Sequence, residues 1–180
     1  MTYYDDIYEL AVDQHYLITT EQARQAGIPS AELRKLAQRG RLTHIGHGLY
    51  RLSRYVPSEE DSYATAVAML GPGARLYGES VIALLDLAPT NPAHIFVATP
   101  NRVRRRLPGN VIIRSVDEDA QVTRYMGIAS QSVEDAILSA RESMMPSRLR
   151  DATDRARGLG YISKAQHEML LEELHGKASE

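Results

Sequence analysis

The spacing of apolar residues at the start of the chain predicts two short helices. The first covers residues 4–13, and its apolar stripe consists of Ile7, Leu10 and Ala11. The second begins at Thr19-Thr20-Glu21, where a hydroxyl N-cap is followed by an acid in the first turn. It ends at Gly27, since glycine readily adopts the left-handed conformation that closes a helix.

A third helix is predicted over residues 31–39, ending at Gly40. Pro29 cannot continue the preceding helix, and Ser30 is suited to cap the new one. Two short helices joined by a turn that contains glycine form a helix-turn-helix. The sequence therefore predicts this motif over its first forty residues.

The apolar positions of the third helix determine which side chains face outward. Leu33, Leu36 and Ala37 point inward, which places a polar and basic row on the opposite face at helical spacing. The outward row is Ser30, Ala31, Arg34, Lys35 and Gln38. Arginine and glutamine can read base edges in the major groove of DNA, whereas lysine and serine suit phosphates.

The segment after the third helix, RLTHIGHGLYRL, predicts a small hairpin. Residues 41–45 alternate as a strand does, Gly46-His47-Gly48 forms the turn, and residues 49–52 return. A hairpin beside a recognition helix is the wing of a winged helix-turn-helix. The predicted DNA contacts are Thr20, Ser30, Arg34, Lys35, Gln38, Arg39, Arg41, His44, His47 and Arg51.

Two histidines in the wing, His44 and His47, raise the question of a metal site. They lie across a small turn without further ligands, and such pairs more often contact phosphate or solvent. We therefore expect no bound metal and no cofactor.

The charge of the chain is unevenly distributed. The net charge is −2, but residues 14–56 carry seven basic and two acidic groups. Residues 57–180 carry 14 basic and 17 acidic groups. A basic segment joined to a mildly acidic body argues against indiscriminate nucleic-acid binding by the whole chain.

Composition restricts the setting in which the protein works. There is no cysteine, which excludes disulfides and thiolate metal sites. The polar, acidic start lacks the pattern of a signal peptide, and no apolar run approaches the length of a membrane span. These features predict a soluble, cytoplasmic protein without a membrane partner.

The remainder of the chain predicts a second, α+β domain, with the boundary between residues 56 and 57. Ser58 and three acids begin a helix, and residues 76–87 have the pattern of a buried helix. Strands are predicted at residues 94–99, 111–116 and 122–126. Ser132 begins another helix as a capping residue, and residues 147–174 form two more.

An arginine run, RVRRRL, lies between the first two of these strands. Arg102, Arg104 and Arg106 share one side of an extended segment, with Arg105 opposite. The run is either a solvated loop, a second contact with the DNA backbone, or a surface for an acidic partner. Arginine suits the last two roles because its planar guanidinium matches phosphate and carboxylate groups.

Three segments resemble AbiEi-family antitoxins. YLITTEQARQAGIPSAELRKLAQRGRLTHIGHGLYRL looks like the N-terminal domain of that family, and GARLYGESVIALLDLAPTNPAHIFVATP resembles the opening of its second domain. GIASQSVEDAIL is similar to a later segment that leads into a helix. SQSVEDAIL replaces the more usual Ser-Pro-Glu-Arg-Thr type of run, and the C-terminal portion is short.

The resemblance implies an antitoxin of a bacterial toxin–antitoxin system. Such a protein binds inverted repeats in its own promoter, represses the operon and counteracts a nucleotidyltransferase-like toxin encoded beside it. The alternative is a protein-interaction module that neutralises a toxin by direct binding, without specific DNA recognition. DNA binding through the basic face would weaken steeply with salt, which separates the two.

Catalysis by the second domain is not expected. A restriction-type nuclease needs carboxylates around a metal and commonly a lysine two residues beyond an acid. The three lysines, Lys35, Lys164 and Lys177, follow Leu33, Ile162 and His175 at that spacing. No HExxH, phosphate loop or Gly-x-Ser-x-Gly is present, so we predict that the protein is not an enzyme.

Overall fold

The structure, a computed structural model, describes residues 2–90 and 93–176, so Lys177 lies outside the described residues. The chain forms two compact units. The first is Met1–Pro72 with Met126–Ile128, and the second is Gly73–Tyr125 with Ala129–Glu180. The fold class is α+β, as predicted. The domain boundary at residue 56 stays a prediction.

The first unit contains a winged helix-turn-helix followed by one further helix. Its elements are α1 (Tyr3–Val12), β1 (Leu17–Thr19), α2 (Thr20–Gln25), α3 (Ser30–Gln38), β2 (Leu42–Gly46), β3 (Leu49–Leu52) and α4 (Asp61–Leu70). The strands β1, β2 and β3 form an antiparallel sheet in the order β1-β3-β2.

Local capping explains where the helices of this unit begin and end. Thr19 caps α2, because its side chain accepts a hydrogen bond from the Gln22 N–H and its own N–H donates to the Gln22 side-chain oxygen. Gly27 has φ +76°, which lets the chain turn sharply into α3. Ser30 is the first residue of α3 and not its cap; Pro29 occupies the cap position without a side-chain hydrogen bond.

The core of the first unit lies between the three helices and the small sheet. Leu33 is fully buried, and Leu36 and Ala37 pack half-buried beside it, as predicted for the inner face of α3. Leu10 was predicted to face the core, but it is 40% exposed. The remaining buried cluster consists of Ile7, Ala11, Ile18, Ala23, Ile28, Leu42, Tyr50 and Leu52.

The second unit is built on a five-stranded sheet flanked by helices. Its elements are β4 (Arg75–Leu76), α5 (Glu79–Leu84), β5 (Ile95–Thr99), β6 (Val111–Ser115), β7 (Thr123–Tyr125), β8 (Ile128–Ser130), α6 (Val133–Ser139), the 3-10 helix Ala140–Glu142, α7 (Pro146–Gly158) and α8 (Lys164–Gly176). The strand order is β6-β5-β4-β8-β7. β4 pairs antiparallel with β5 and parallel with β8, and β5 pairs parallel with β6.

Predictions for this part of the chain were right in element type more often than in extent. The three strands and the two C-terminal helices are confirmed, and Ser132 caps α6 by accepting from the Asp135 N–H. The buried helix predicted over 76–87 is shorter, because Leu76 belongs to a strand. Ser58 does not cap α4, which begins at Asp61.

A buried arginine fixes one loop of the second unit. Arg75 is 1% exposed, and its guanidinium donates to the backbone carbonyls of Asp117, Ala120 and Gln121. Its Nε has no hydrogen-bond partner within residues 2–90 and 93–176.

Across residues 2–90 and 93–176, no helix combines the length and apolar character needed to cross a membrane.

Candidate nucleic-acid interface

The outer face of α3 carries the side chains that the sequence placed there. Ser30, Ala31, Arg34, Lys35 and Gln38 are all exposed, which confirms the predicted orientation of the helix. This set is called the recognition face below. Because the opposite side of α3 is packed on the core, these side chains keep helical spacing along one surface. The major groove of DNA is wide enough to admit an α-helix that presents such a face.

The two cations of the recognition face differ in their contacts. Lys35 Nζ donates to Glu32 Oε1 at 2.7 Å, within one turn of the same helix. Such an exposed pair contributes little to stability, so a phosphate can replace the carboxylate at small cost. Arg34 is exposed and has no side-chain partner within the described residues. Its guanidinium is therefore available for a base edge or a phosphate.

The wing is the hairpin of β2 and β3, and its turn is joined to the first turn of α2. The Thr20 N–H donates to the Gly48 carbonyl oxygen at 2.8 Å. Gly48 has φ +64°, and a Cβ there would lie 3.4 Å from Thr20 Oγ1. Thr20 itself is half-buried, so it offers less surface to DNA than the sequence suggested.

The histidines of the wing are exposed, as a surface contact requires. The His44 ring packs against Tyr50 with a centroid distance of 5.0 Å, and His47 lies at the turn. Among the residues that the structure describes, no group of three or more histidine, cysteine or acidic side chains is placed to hold a metal ion.

Arg39 and Arg41 lie where α3 passes into the wing. Arg39 is the C-cap residue of α3, and both side chains are exposed. The Arg41 guanidinium lies over the Tyr4 ring, 5.0 Å from its centroid. This stacking orients the charge without neutralising it.

Arg51, which the sequence placed among the DNA contacts, is buried. Only 9% of the residue is exposed, because β3 is the central strand of the small sheet. Its Nη2 donates to Thr65 Oγ1 at 2.7 Å, and its guanidinium lies 4.9 Å from the Tyr55 ring centroid. In this arrangement Arg51 connects the wing to α4 and does not belong to the exposed surface.

A second charged pair of the first unit lies on α2. Arg24 on α2 donates through Nε and Nη2 to the two carboxylate oxygens of Glu21, at 3.0 and 2.6 Å. The Arg24 side chain, with a further hydrogen bond from Gln25, holds the pKa of Glu21 below its ordinary value. The two opposite charges offset each other, so Arg24 does not add an unpaired cation to this surface. Because both partners are exposed, the pair contributes little to stability.

The arginine run lies in the second unit, in the connection between the parallel strands β5 and β6. Arg102, Arg104, Arg105 and Arg106 are all exposed, and the segment has no regular secondary structure. Val103 and Leu107 are half-buried and anchor it.

Sequence reasoning missed one cation of the first unit. Arg54 follows β3 and is exposed, and it lines the same cleft as Arg39 and Arg41. Its position two residues beyond Leu52, where the predicted wing ends, was the available signal.

The first unit is therefore a winged helix-turn-helix module whose recognition helix presents an exposed, cationic face. Residues 5–53 match the family model described as "Transcriptional regulator, AbiEi antitoxin". The resemblance to AbiEi-family antitoxins is thereby confirmed for this region of the chain.

Comparisons beyond this family model are distant. No curated protein matches the chain. A similar solved structure is the crystal structure of the RV2827C protein from Mycobacterium tuberculosis, with 17% identity, coverage of 96% of this chain and 82% of that chain, and a TM-score of 0.43. A likeness at this distance carries no structural or functional argument.

Proposed function

We propose that the protein is the antitoxin of a bacterial toxin–antitoxin system and that it represses its own operon. The first unit would bind inverted repeats in the promoter, and the protein would act in the cytoplasm by binding and not by catalysis. The observation that carries this proposal is the recognition face, an exposed cationic row on a helix whose other side is packed on the core. The family match to residues 5–53 supports the same reading.

The recognition face is suited both to reading base edges and to contacting the flanking phosphates, as a sequence-specific DNA binder does. Arg34 and Gln38 have the donors for base edges in the major groove, where arginine pairs with guanine and glutamine with adenine. Lys35 and Ser30 suit the flanking phosphates, which position the helix without reading sequence. His47 at the wing turn, together with Arg39 and Arg41 at the opposite end of the wing, would extend the contact beyond one groove.

The boundary between the two functional parts is proposed to follow residue 56, with residues 57–180 serving the antitoxin activity. The partner of this second part would be a nucleotidyltransferase-like toxin encoded in the same operon. Arg102, Arg104, Arg105 and Arg106 would supply either a second contact with the DNA backbone or a surface for an acidic partner. Exposure of all four side chains supports both roles.

Fluorescence anisotropy with DNA from upstream of the gene tests the proposal. Wild type is expected to prefer this duplex over a scrambled one and to bind more weakly as salt rises. Arg34→Ala combined with Lys35→Ala should abolish the preference. Arg148→Ala with Arg157→Ala, which removes two exposed cations of α7, is the matched control and should bind as wild type does.

Equal binding to upstream and scrambled DNA would contradict the repressor function. The winged helix would then be a protein-contact surface, as in the alternative of direct toxin neutralisation. Co-expression with the neighbouring gene's product tests the antitoxin half separately. Rescue of growth by wild type is expected, and no rescue would contradict that half.

A further inference from the structure

A basic cleft lies at the end of the wing opposite its turn. Its volume is about 390 Å³. The cleft is formed where α3 ends, where β2 begins and where the chain leaves β3, beside the first turn of α1. Its lining consists of Tyr4, Arg39, Gly40, Arg41, Ser53 and Arg54.

Three arginines line this cleft, and their charges are not neutralised by ion pairs. Arg39, Arg41 and Arg54 are exposed, and within residues 2–90 and 93–176 none of them forms a salt bridge. Arg24 and Lys35, in contrast, are each paired with a glutamate on their own helix. Within the described part of the first unit, the exposed cations without an ion pair are therefore Arg34 on the recognition face and these three arginines of the cleft.

The lining also supplies orientation and hydrogen-bond donors. The Tyr4 ring packs against the Arg41 guanidinium, 5.0 Å from the ring centroid, and stacking of this kind orients the guanidinium without pairing its charge. Ser53 Oγ is hydrogen-bonded to Thr43 Oγ1 at 3.2 Å. Gly40 has φ +70°, and the space beside its Cα is unoccupied within 4 Å of where a Cβ would lie.

One acid lies near the cleft. Hydrogen bonds from Thr2, first from its backbone and then from its side chain, lower the pKa of Asp5, and Arg41 contributes through its charge. Thr2 N–H and Thr2 Oγ–H both donate to Asp5 Oδ2 at 2.8 Å. Asp5 is thus engaged in capping α1, and the cleft keeps a surplus of positive charge.

We propose that this cleft binds a phosphate group. Guanidinium groups are suited to phosphate because their parallel N–H donors match two of its oxygens. The phosphate would come either from the DNA backbone or from a free phosphate-bearing ligand. Binding of the DNA backbone rests on the proposed function, whereas binding of a free phosphate-bearing ligand does not.

Inorganic pyrophosphate is the probe for the site itself. At matched ionic strength it should raise the Tm of wild type, because a ligand that binds only the folded state stabilises it. Arg54→Ala should lose this rise, and Arg54→Lys should retain part of it. Arg157→Ala in α7 removes one exposed cation outside the cleft and should respond as wild type does.

Duplex DNA from upstream of the gene distinguishes the two sources. Loss of one phosphate contact in Arg54→Ala should reduce the slope of log affinity against log salt by about one. A reduced slope assigns the site to the DNA backbone. An unchanged slope together with a lost pyrophosphate response assigns it to a free phosphate ligand.

The proposal is overturned if Arg54→Ala changes neither the pyrophosphate response nor the salt slope. Circular dichroism of Arg54→Ala checks that the variant is folded, which we expect because Arg54 is exposed and its side chain forms no hydrogen bond or ion pair with the described residues. Wild type that shows no preference for the upstream duplex would contradict the proposed repressor function. In that case the pyrophosphate measurement still tests whether the cleft binds phosphate.

Discussion

The recognition face and the arginine run are both exposed and cationic, but they differ in what holds their side chains. On α3, Leu33 is fully buried, and its position fixes the direction of every side chain along the helix. The run between β5 and β6 is anchored by the half-buried Val103 and Leu107 and has no regular structure. A packed helix gives its cations a defined spacing, whereas this loop gives only local positive charge. Base reading requires the former, and attraction to phosphate or carboxylate requires only the latter.

Removing the anchor of each surface should give the largest effect and the clearest contrast. Leu33→Ala is expected to lower the free energy of unfolding by about 2–5 kcal/mol, because it leaves a cavity under α3. Leu107→Ala, at a half-buried position, should cost clearly less. Urea unfolding measures both. Equal losses in the two variants would contradict the proposed difference in anchoring.

Removing the cations themselves sharpens the comparison. Arg34→Ala should weaken binding to the upstream duplex by about 1–3 kcal/mol and relax its sequence preference, as expected for a base contact. Arg102→Ala, Arg104→Ala and Arg106→Ala together should weaken binding equally for upstream and scrambled DNA and reduce the salt slope. Anisotropy titrations at several salt concentrations give both quantities. If the triple variant leaves affinity and slope unchanged, the run is not a DNA contact.

The buried Arg51 provides an arginine of the wing that should not affect DNA binding directly. Arg51→Ala removes the hydrogen bond to Thr65 and the stacking on Tyr55, with an expected stability loss of about 1–3 kcal/mol. Arg51→Met keeps the apolar stem and should lose less. Under conditions in which Arg51→Met is fully folded, it should bind DNA with the affinity of the wild type. A loss of affinity in folded Arg51→Met would indicate that Arg51 contacts DNA directly.

The smallest effect is expected at the start of α1, where Asp5 lies near Arg41. The folded-state pKa of Asp5 is lowered, so its contribution to stability is present above the ordinary aspartate pKa of about 3.9 and is lost as the pH falls through the lower folded value. Asp5→Asn should therefore lower the Tm slightly at neutral pH and leave it nearly unchanged in strong acid. Thermal scans across this pH range test it, and an equal loss at both extremes would exclude the ionised carboxylate as the cause.

The sequence predicted the recognition face because a single helix carries its own periodicity. Leu33, Leu36 and Ala37 were sufficient to orient α3, and Ser132 with Asp135 was sufficient to begin α6. These features depend on residues within one or two turns of each other. Local pattern determines them before any tertiary contact is known.

Features that depend on distant partners were missed. β1 has only three residues, and it is a strand because Leu17 and Ile18 pair with Arg51 and Tyr50 more than thirty residues later. The same central position of β3 buries Arg51, which alternation along one hairpin could not reveal. Leu76 sits in an apolar run that fits a buried helix or a buried strand equally well. Only pairing with β5 and β8 decides between them.

The hydrogen bond from Thr20 to Gly48 has a consequence for the entropy of association. It fastens the wing turn to the first turn of α2, and the pairing of β1 with β3 holds the returning strand along its length. The hairpin therefore gives up little conformational freedom when it meets a ligand. Binding that requires no ordering of its contact surface retains more of its interaction free energy. Thr20, half-buried as it is, would then act on affinity by keeping the wing in its binding conformation.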